Sequence, residues 1–315
     1  MCIAVVLAID LGGSSMKGAV VAEDGATVAS ETRSTPDRDI VEALVDLLRS
    51  LERVATNLGC SVIGAGVVTP GIVDEETGVV LFAANLNWRD IPLLRMLRDQ
   101  FGFPIALGHD VRAAGLAERQ LGAARGAGDF VIVTIGTGVA AALVSTGRTI
   151  VGASGSAGEF GHIPAVPGGE PCRCGQRGCL EVYVSGAGLA HRYAVRAGGR
   201  LSSQEIVSRL GPDQVANEVW SDAVHVLAQG LVIMTLLLDP AVIVLGGGFS
   251  LAGNVLLAPV KAALAQGLAW RNPPDVRLSG LGSHAGQIGA AMLAYRAAGK
   301  GSVPKRWPAR SGLAS

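Results

Sequence analysis

The sequence predicts an α/β protein, and three observations support this fold class. First, Val5 to Ile9 and Phe130 to Ile135 are continuous apolar runs, as expected of strands buried on both faces. Second, each run ends in a glycine turn and returns as further strands, giving two similar three-strand meanders over residues 5–32 and 130–153. Third, helical segments with a 3.6-residue apolar period separate other predicted strands. The meanders indicate either two duplicated lobes facing each other or a chance likeness.

The other elements follow from periodicity and from turn residues. Helices are predicted at residues 36–58, 92–101, 111–121, 201–210, 217–238, 254–268 and 285–298, and further strands at 61–68, 104–107, 242–245 and 276–281. The tail 299–315 is rich in small and basic residues and contains proline, so a loosely ordered segment is expected.

Composition excludes several classes of protein. The 315 residues carry 26 acidic and 26 basic side chains, so no basic excess indicates nucleic-acid binding. Residues 2–9 are apolar but have no basic lead-in or cleavage site, and the apolar run Leu231–Leu238 is too short to cross a bilayer. We therefore expect a soluble, cytoplasmic protein with no membrane partner.

Four potential metal ligands stand close together in the sequence. Cys172, Cys174 and Cys179 have the spacing C-x-C-x4-C, and His162 precedes them by ten residues. Three thiolates and one imidazole complete a tetrahedral Zn²⁺ shell and leave no position for water, so the predicted zinc is structural. A disulfide framework is the alternative, and a cytosolic composition argues against it.

Two carboxylates flank this metal loop. Glu159 lies three residues before His162, and Glu181 lies two residues after Cys179. A metal ion that fixes the loop also fixes these carboxylates, and fixed carboxylates suit hydroxyl-rich ligands.

Two glycine turns follow buried strands and are candidates for phosphate binding. Asp10 is followed by Gly12, Gly13 and, seven residues on, Lys17. Gly136-Thr137-Gly138 occupies the matching place in the second meander. Glycines let backbone N–H groups approach a phosphate, and an aspartate there suits Mg²⁺. The loop is not a P-loop, because G-x-x-x-x-G-K-[ST] is absent.

Two further positions remain open between a structural and a functional interpretation. Asp110 ends a strand and opens a helix, so it is either only a cap or also a base kept ionised by the helix dipole. Gly246-Gly247-Gly248 follows a buried strand and is either a tight turn or a platform for a nucleoside.

Taken together, these motifs resemble the ROK family of bacterial sugar kinases and repressors, and its glucokinases most. The motifs are Asp10-x-Gly-Gly-x-x-x-Lys17, Gly136-Thr137-Gly138, Gly158-Glu159-x-Gly161-His162 and the cysteine loop through Glu181. The likeness covers residues 3 to about 298.

The resemblance implies a two-lobed actin-like ATPase fold (ribonuclease H-like, of the hexokinase and Hsp70 superfamily) with a central cleft between the lobes. It implies a small lobe of residues 1–110 with the helix 285–298, and a large lobe of 111–284 with the zinc loop. A homodimer or larger homo-oligomer is expected.

The resemblance also assigns roles to residues. Asp110 is the expected base, with Gly71, His109, Glu159, His162 and Glu181 around the sugar. Mg²⁺ and the ATP phosphates are expected beside Asp10, Gly12, Gly13, Lys17, Gly136, Thr137 and Gly138, with the adenosine beside Gly247 and Gly248. Zinc is expected on His162, Cys172, Cys174 and Cys179.

The sequence departs from the family pattern at two places. His109 stands where an asparagine usually contacts the sugar, which bears on the choice of sugar. Ala140 to Ala142 follow the second glycine loop in place of further glycines, and their Cβ atoms are expected to narrow the phosphate pocket.

The function expected from the resemblance is ATP-dependent phosphorylation of the 6-hydroxyl of a hexose, foremost glucose. One alternative is a kinase for N-acetylglucosamine, N-acetylmannosamine, mannose or fructose. Others are a sugar-binding protein with little catalysis and a transcriptional repressor, which is not expected because such family members resemble this chain with a DNA-binding module ahead of the first strand. The sequence does not decide whether polyphosphate replaces ATP.

Overall fold

The computed structural model describes residues 3–309, which form two compact units. Of the described residues, the first unit holds 3–125 and 284–309, and the second holds Gly126–Ser283. Each unit has its own five-stranded sheet and its own apolar core. The α/β class predicted from the sequence is thus confirmed.

The elements are as follows. The strands are β1 (Ile3–Leu11), β2 (Ser15–Ala22), β3 (Thr27–Ser34), β4 (Cys60–Thr69), β5 (Ile72–Asp74), β6 (Val79–Ala83), β7 (Trp88–Ile91), β8 (Ile105–His109), β9 (Phe130–Ile135), β10 (Val139–Ser145), β11 (Arg148–Ile150), β12 (Val242–Gly246) and β13 (Asp275–Leu278). The helices are α1 (Ile40–Asn57), α2 (Leu93–Arg98), α3 (Asp110–Leu121), α4 (Leu180–Val184), α5 (Gly186–Ala197), α6 (Ser203–Ser208), α7 (Gln214–Leu238), α8 (Asn254–Gly267) and α9 (Ala285–Ala297).

The two large sheets have the same topology. The first has the order β3-β2-β1-β4-β8 and the second the order β11-β10-β9-β12-β13. In each sheet the meander strands pair antiparallel, and the other neighbouring strands pair parallel. The two meanders therefore belong to duplicated units and are not a chance likeness.

Parallel pairing brings the ends of three strands of the first sheet to one edge. Asp10 of β1 stands opposite Val68 of β4, and Val68 stands opposite Gly108 of β8. The segments that follow β1, β4 and β8 therefore emerge side by side. Residues far apart in the sequence can form a site at such an edge.

Helix α9 belongs to the first unit because two glycines allow close packing. A Cβ on Gly66 of β4 would lie 2.0 Å from the Ala290 carbonyl oxygen, and one on Gly289 would lie 2.2 Å from the Ala113 carbonyl oxygen of α3. Helix α3 thus packs on α9. The expected boundary after residue 110 is wrong, because this packing places α3 with the first unit.

Helix α7 extends well beyond the apolar run Leu231–Leu238 and contains it. By length and composition alone, its 25 residues could span a membrane. Half of its most apolar window is buried inside the protein. Its buried side chains, including Val219, Ala223, Leu227 and Leu231, belong to the core of the second unit, which identifies α7 as a core helix.

The tail is ordered through Ala309, contrary to expectation. A 3-10 helix spans Pro304–Arg306, and the Trp307 side chain is buried. The Trp307 indole Nε1 donates to the Glu23 carbonyl oxygen at 2.9 Å, and its ring meets Tyr295 edge-on at 5.8 Å. An indole buries enough apolar surface to fix a short segment. Residues 310–315 of the predicted tail lie outside the described residues.

Replacing Trp307 with alanine is expected to destabilise the first unit. Loss of the buried ring and its hydrogen bond predicts a fall of about 2–4 kcal/mol in the free energy of unfolding. Urea denaturation followed by circular dichroism measures it. The matched control is Trp270→Ala, because Trp270 is 78% exposed and its loss should change stability by less than about 0.5 kcal/mol. Equal effects of the two substitutions would contradict a stabilising role for the tail.

Candidate active site

The loop after β1 brings a carboxylate and an amine together. Asp10 and Lys17 are opposite each other in the β1–β2 register. The turn between them closes through a hydrogen bond from the Gly12 N–H to the Ser15 carbonyl at 2.9 Å. A Cβ on Gly13 would lie 2.9 Å from the Asn85 Cβ. The close approach explains why the chain has glycine at position 13.

The Asp10 carboxylate lies at the amino end of α9. A Cβ on Gly286 would stand 2.7 Å from Asp10 Oδ2, so glycine there leaves room for the carboxylate. The pKa of Asp10 is raised to about 7, mainly by burial and also by the charge of Asp110, while the charge of Lys17 opposes the rise. Asp10 therefore holds its negative charge at a cost that a cation would offset.

Asp110 is the first residue of α3 and follows directly on β8. Its Oδ1 accepts a hydrogen bond from the Val111 N–H at 2.7 Å, and its side chain is 29% exposed. Burial raises the pKa of Asp110 to about 6, opposed by the hydrogen bond from Val111 and by the charge of Arg112. Asp110 is thus both a helix-start residue and a carboxylate whose pKa suits a base near neutral pH.

Gly71 occupies the turn after β4, where the backbone has a φ of +97°. A Cβ there would come within 2.2 Å of the Phe82 carbonyl oxygen of β6. Only glycine fits this turn, which leads from the edge shared by Asp10 and Asp110 into the small sheet β5–β6–β7. This sheet was not predicted from the sequence.

The second glycine loop is held by Glu181. The Gly136 N–H donates to the Gly138 carbonyl at 2.9 Å, which closes the turn. Glu181 Oε2 accepts from the Val139 N–H at 2.9 Å and would lie 2.8 Å from a Cβ on Gly138. The metal loop is therefore connected to the glycine loop through a carboxylate that the sequence analysis assigned to the sugar.

The alanines after this loop are inside a strand. Ala141 and Ala142 belong to β10 and are each 1% exposed, and Ala140 is partly exposed. The side chains of Ala141 and Ala142 pack within the second unit. The expectation that all three would narrow a phosphate pocket does not apply to these two.

Gly247 packs on the strand that ends at the second glycine loop. It has a φ of +79°, and a Cβ would lie 2.4 Å from the Ile135 carbonyl oxygen. A Cβ on Gly248 would meet nothing within 4 Å. Gly247 is required by the turn itself, whereas Gly248 borders open space.

The four predicted metal ligands come together. One ligand atom from each of His162, Cys172, Cys174 and Cys179 lies within 4.8 Å of the others. Cys172 Sγ is 3.8 Å from His162 Nδ1, and Cys174 Sγ is 3.6 Å from Cys179 Sγ. Ligands about 2.3 Å from a tetrahedral ion are about 3.8 Å apart, so the cluster fits Zn²⁺.

Glycines place His162 and Glu159 against β10. A Cβ on Gly158 would lie 2.0 Å from the Ala141 carbonyl oxygen, and one on Gly161 would lie 2.3 Å from the Val139 carbonyl oxygen. A 3-10 helix, Phe160–His162, then directs His162 toward the cysteines. The glycines of the Gly158-Glu159-x-Gly161-His162 motif thus serve packing.

Two charged residues that sequence analysis missed surround His109. Glu75 Oε1 accepts from the His109 N–H at 3.1 Å and from Arg112 Nε at 2.8 Å. The only local signal was the i, i+3 spacing of His109 and Arg112. Glu75 lies 34 residues earlier, so its contact depends on the tertiary fold.

Arg192 of α5 is buried, although it lies in an arginine-rich segment of the sequence. It is 5% exposed, its Nε is 2.9 Å from Glu170 Oε1, and its Nη2 is 2.7 Å from Asp222 Oδ2. Its guanidinium also lies over the Tyr183 ring. Since Glu170 precedes Cys172 in the metal loop, Arg192 ties that loop to α5 and α7.

Comparison with known proteins agrees with these motifs. A family model described as ROK family matches residues 6–297. The chain is 31% identical over 309 residues to the glucokinase of Streptomyces coelicolor, covering 91% of this chain and 96% of that protein. It is 30% identical over 295 residues to the DNA-binding transcriptional dual regulator NagC of Escherichia coli, covering 88% of this chain and 70% of the regulator.

A solved structure is also similar over nearly the whole length. This is a ROK family glucokinase from Streptomyces griseus in complex with glucose and AMPPNP, with a TM-score of 0.83 and 30% identity. The match covers 93% of this chain and 99% of that one. On the family model and on these similarities, the chain belongs to the ROK family.

Proposed function

We propose that this ATP-dependent sugar kinase transfers the γ-phosphoryl group of MgATP to the 6-hydroxyl of glucose. Glucokinase relatives and the structure determined with glucose and AMPPNP support the nucleotide and the sugar class. The observation that carries the proposal is Asp110, a mostly buried carboxylate with a raised pKa at the edge where Asp10 also lies.

In this mechanism Asp110 accepts the proton of the attacking hydroxyl. A base whose pKa is near 6 is ionised at pH 7 and still takes up a proton readily, which contributes roughly 10²–10⁴-fold to the rate. The hydroxyl oxygen then attacks the γ-phosphorus as the bond to the β-phosphate oxygen breaks, with little covalent assistance from the protein. Positioning and charge neutralisation account for most of the remaining acceleration.

The other residues bind and orient. Gly71, His109, Glu159, His162 and Glu181 are proposed around the sugar. Gly12, Gly13, Lys17, Gly136, Thr137 and Gly138 are proposed around the phosphates, with Gly247 and Gly248 beside the adenosine. Mg²⁺ would be held beside Asp10, whose pKa is raised by burial and by the charge of Asp110; when bound, it would neutralise the charge of the phosphates.

The four ligands fit zinc, and the metal would take no direct part in phosphoryl transfer. A filled shell of His162, Cys172, Cys174 and Cys179 would hold the loop in place and add no Lewis acid to the reaction. Fixing Cys179 also fixes Glu181, which contacts the Val139 N–H. A homodimer or larger assembly and a cytoplasmic location remain part of the proposal.

A kinase for a different hexose is the second candidate, and His109 favours considering it. The residue beside the proposed base is an imidazole, which changes the hydrogen bonding offered to the sugar. Measurement of kcat/KM across hexoses with ATP distinguishes the kinases.

Asp110→Asn is expected to abolish glucose-dependent ADP release, with a loss of at least about 10²-fold in kcat. Sugar affinity should change little, and stability at pH 7 should rise. The pKa is above its ordinary value, so the carboxylate's ionisation costs stability progressively from about pH 4 to 6 and fully at pH 7. A coupled ADP assay, calorimetry and thermal unfolding measure these effects. Near-normal turnover would remove Asp110 as the base.

The pH dependence of the wild-type enzyme provides a separate test. Because the base must be ionised, kcat/KM for glucose should be constant above about pH 7 and fall below pH 6, approaching tenfold per pH unit. Circular dichroism at pH 5 checks that the fold persists. A rate that stays flat between pH 5 and pH 8 would contradict the assignment.

The metal takes no direct part in the proposed reaction, but its loss should weaken ligand binding. Plasma mass spectrometry of the purified protein should find one zinc per chain, and Cys174→Ser should lower that content severalfold. Binding of both glucose and AMPPNP should weaken, because Glu181 connects the metal loop to the glycine loop. Cys60→Ser is the control, since Cys60 lies outside the cluster. Unchanged affinities in a zinc-free protein would refute the connection.

A further inference from the structure

A buried arginine ties the first turn of α3 to the small sheet. The Arg112 side chain is 6% exposed, and its Nε lies 2.8 Å from Glu75 Oε1. Its Nη2 donates to the Val73 carbonyl of β5 at 3.0 Å. A guanidinium is planar and offers its donors in a fixed geometry, so two acceptors on one short segment define its position. The helix residue two positions after Asp110 is thereby held against residues 73–75.

The Glu75 carboxylate connects this arginine to the strand that ends at Asp110. Glu75 Oε1 accepts from Arg112 Nε and also from the His109 N–H at 3.1 Å. The Arg112 backbone N–H donates to His109 Nδ1 at 3.3 Å, which caps the amino end of α3. Asp110 lies between His109 and Arg112 in the chain. These contacts therefore fix the backbone on both sides of it.

The turn that carries Glu75 is itself held by hydrogen bonds. Asp74 Oδ1 accepts from the Glu76 N–H at 3.0 Å and from the Thr77 N–H at 3.2 Å. The Gly78 N–H donates to the Asp74 carbonyl at 2.9 Å. Glu75 thus projects from a closed turn, which gives its carboxylate a defined place beside α3.

Arg112 also provides positive charge near Asp110. The charged and titratable groups on the elements that meet at this sheet edge are Asp10 of β1, Lys17 of β2, Glu75 after β5, His109 of β8, Arg112 of α3 and His284 before α9. Burial lowers the pKa of His109 to about 3, so its ring is neutral at pH 7. Burial raises the pKa of Asp110 to about 6, and the hydrogen bond from Val111 and the charge of Arg112 oppose the rise. Arg112 is thus a side chain whose charge favours the ionised form of Asp110.

We propose that Arg112 is a positioning residue for the base: its guanidinium, anchored by Glu75 and the Val73 carbonyl, fixes the first turn of α3 and keeps positive charge beside Asp110. This inference rests on the proposed function, in which Asp110 accepts the proton of the sugar hydroxyl. It adds a buried residue that acts through Asp110, by orientation and by charge. A base that is displaced by about 1 Å, or that is protonated, loses much of its contribution to the rate.

Arg112→Gln tests both effects, because it removes the guanidinium together with its charge. With glucose and ATP at pH 7, kcat should fall roughly tenfold and KM for glucose should change less than about threefold. The acid limb of the kcat/KM profile should move up by about 1 pH unit, because loss of a nearby positive charge raises the pKa of Asp110. A residue with only a structural role would lower activity without moving this limb. An unmoved limb would therefore overturn the proposal.

Arg112→Lys separates the charge from the geometry. Lysine keeps the positive charge but lacks the planar fork that reaches Glu75 and Val73 together. The acid limb should therefore return to within about 0.3 pH unit of the wild type, whereas kcat should recover only in part. A limb displaced as far as in Arg112→Gln would contradict the role of the charge.

Glu75→Ala tests the anchor from a more exposed position. It removes the acceptor of Arg112 Nε and should lower kcat severalfold, without raising the acid limb, because Arg112 keeps its charge. Combining Glu75→Ala with Arg112→Gln should cost no more in kcat than Arg112→Gln alone, since both changes remove one contact. Glu76→Ala and Arg119→Gln are the matched controls, because Glu76 is exposed on the same turn and Arg119 on the same helix. They should leave kcat and the acid limb unchanged, and additive losses in the double variant would contradict the anchor.

Titration of Asp110 without sugar separates this inference from the proposed function. Nuclear magnetic resonance of ¹³C-labelled aspartate carboxyl groups measures the pKa, and the signal lost in Asp110→Asn identifies the residue. The pKa should rise by about 1 unit in Arg112→Gln and return close to its wild-type value in Arg112→Lys. If Asp110→Asn is inactive but neither the titration nor the kinetics responds to Arg112, this inference alone fails.

Two further outcomes also decide. If Asp110→Asn retains turnover, the proposed function fails, and Arg112 then has no base to position. If circular dichroism shows that Arg112→Gln does not fold, the comparison of Glu75→Ala with Glu76→Ala takes its place. Equal kcat values in those two variants would overturn the proposal.

Discussion

The electrostatic coupling of Asp10 and Asp110 is the constraint on which the site depends. Both carboxylates have raised pKa values because burial removes them from water, and the charge of Asp110 raises the pKa of Asp10. Parallel pairing of β1, β4 and β8 forces them to the same sheet edge. Such an arrangement costs stability and is typical of functional sites. Lys17, the amino end of α9 and the Val111 N–H partly offset the cost.

The second unit holds a long irregular segment in one conformation. Residues 151–179 contain little regular structure, and the cysteine–histidine cluster lies within them. Gly158 and Gly161 pack this segment against β10, and Glu170 joins it to Arg192. Glu181, just after the segment, accepts from the Val139 N–H. A metal ion at the cluster would add a crosslink to a segment with little regular secondary structure.

Duplication of one topology explains why the two glycine loops are similar and their surroundings are not. Each loop joins the first two strands of an identical meander. In the first unit the loop packs near Asn85, and a carboxylate on β1 faces the start of α9. In the second unit Thr134 stands near the end of β9, and the carboxylate comes from Glu181. The shared backbone topology fixes the turn, and the neighbouring segments determine which charged groups surround it.

The sequence by itself determined the features that are local in the chain. Buried strands such as Val5–Ile9, the amphipathic α1 and the ligands of the metal cluster follow from spacing and apolar periodicity, which depend on residues a few positions apart. The short strands β5–β7, the burial of Arg192 and the docking of Trp307 were decided by the tertiary structure. So was the pKa of His109, which burial and the charge of Arg112 lower to about 3. The physical reason is that solvent exposure, pKa and hydrogen-bond partners depend on residues brought together from distant parts of the chain.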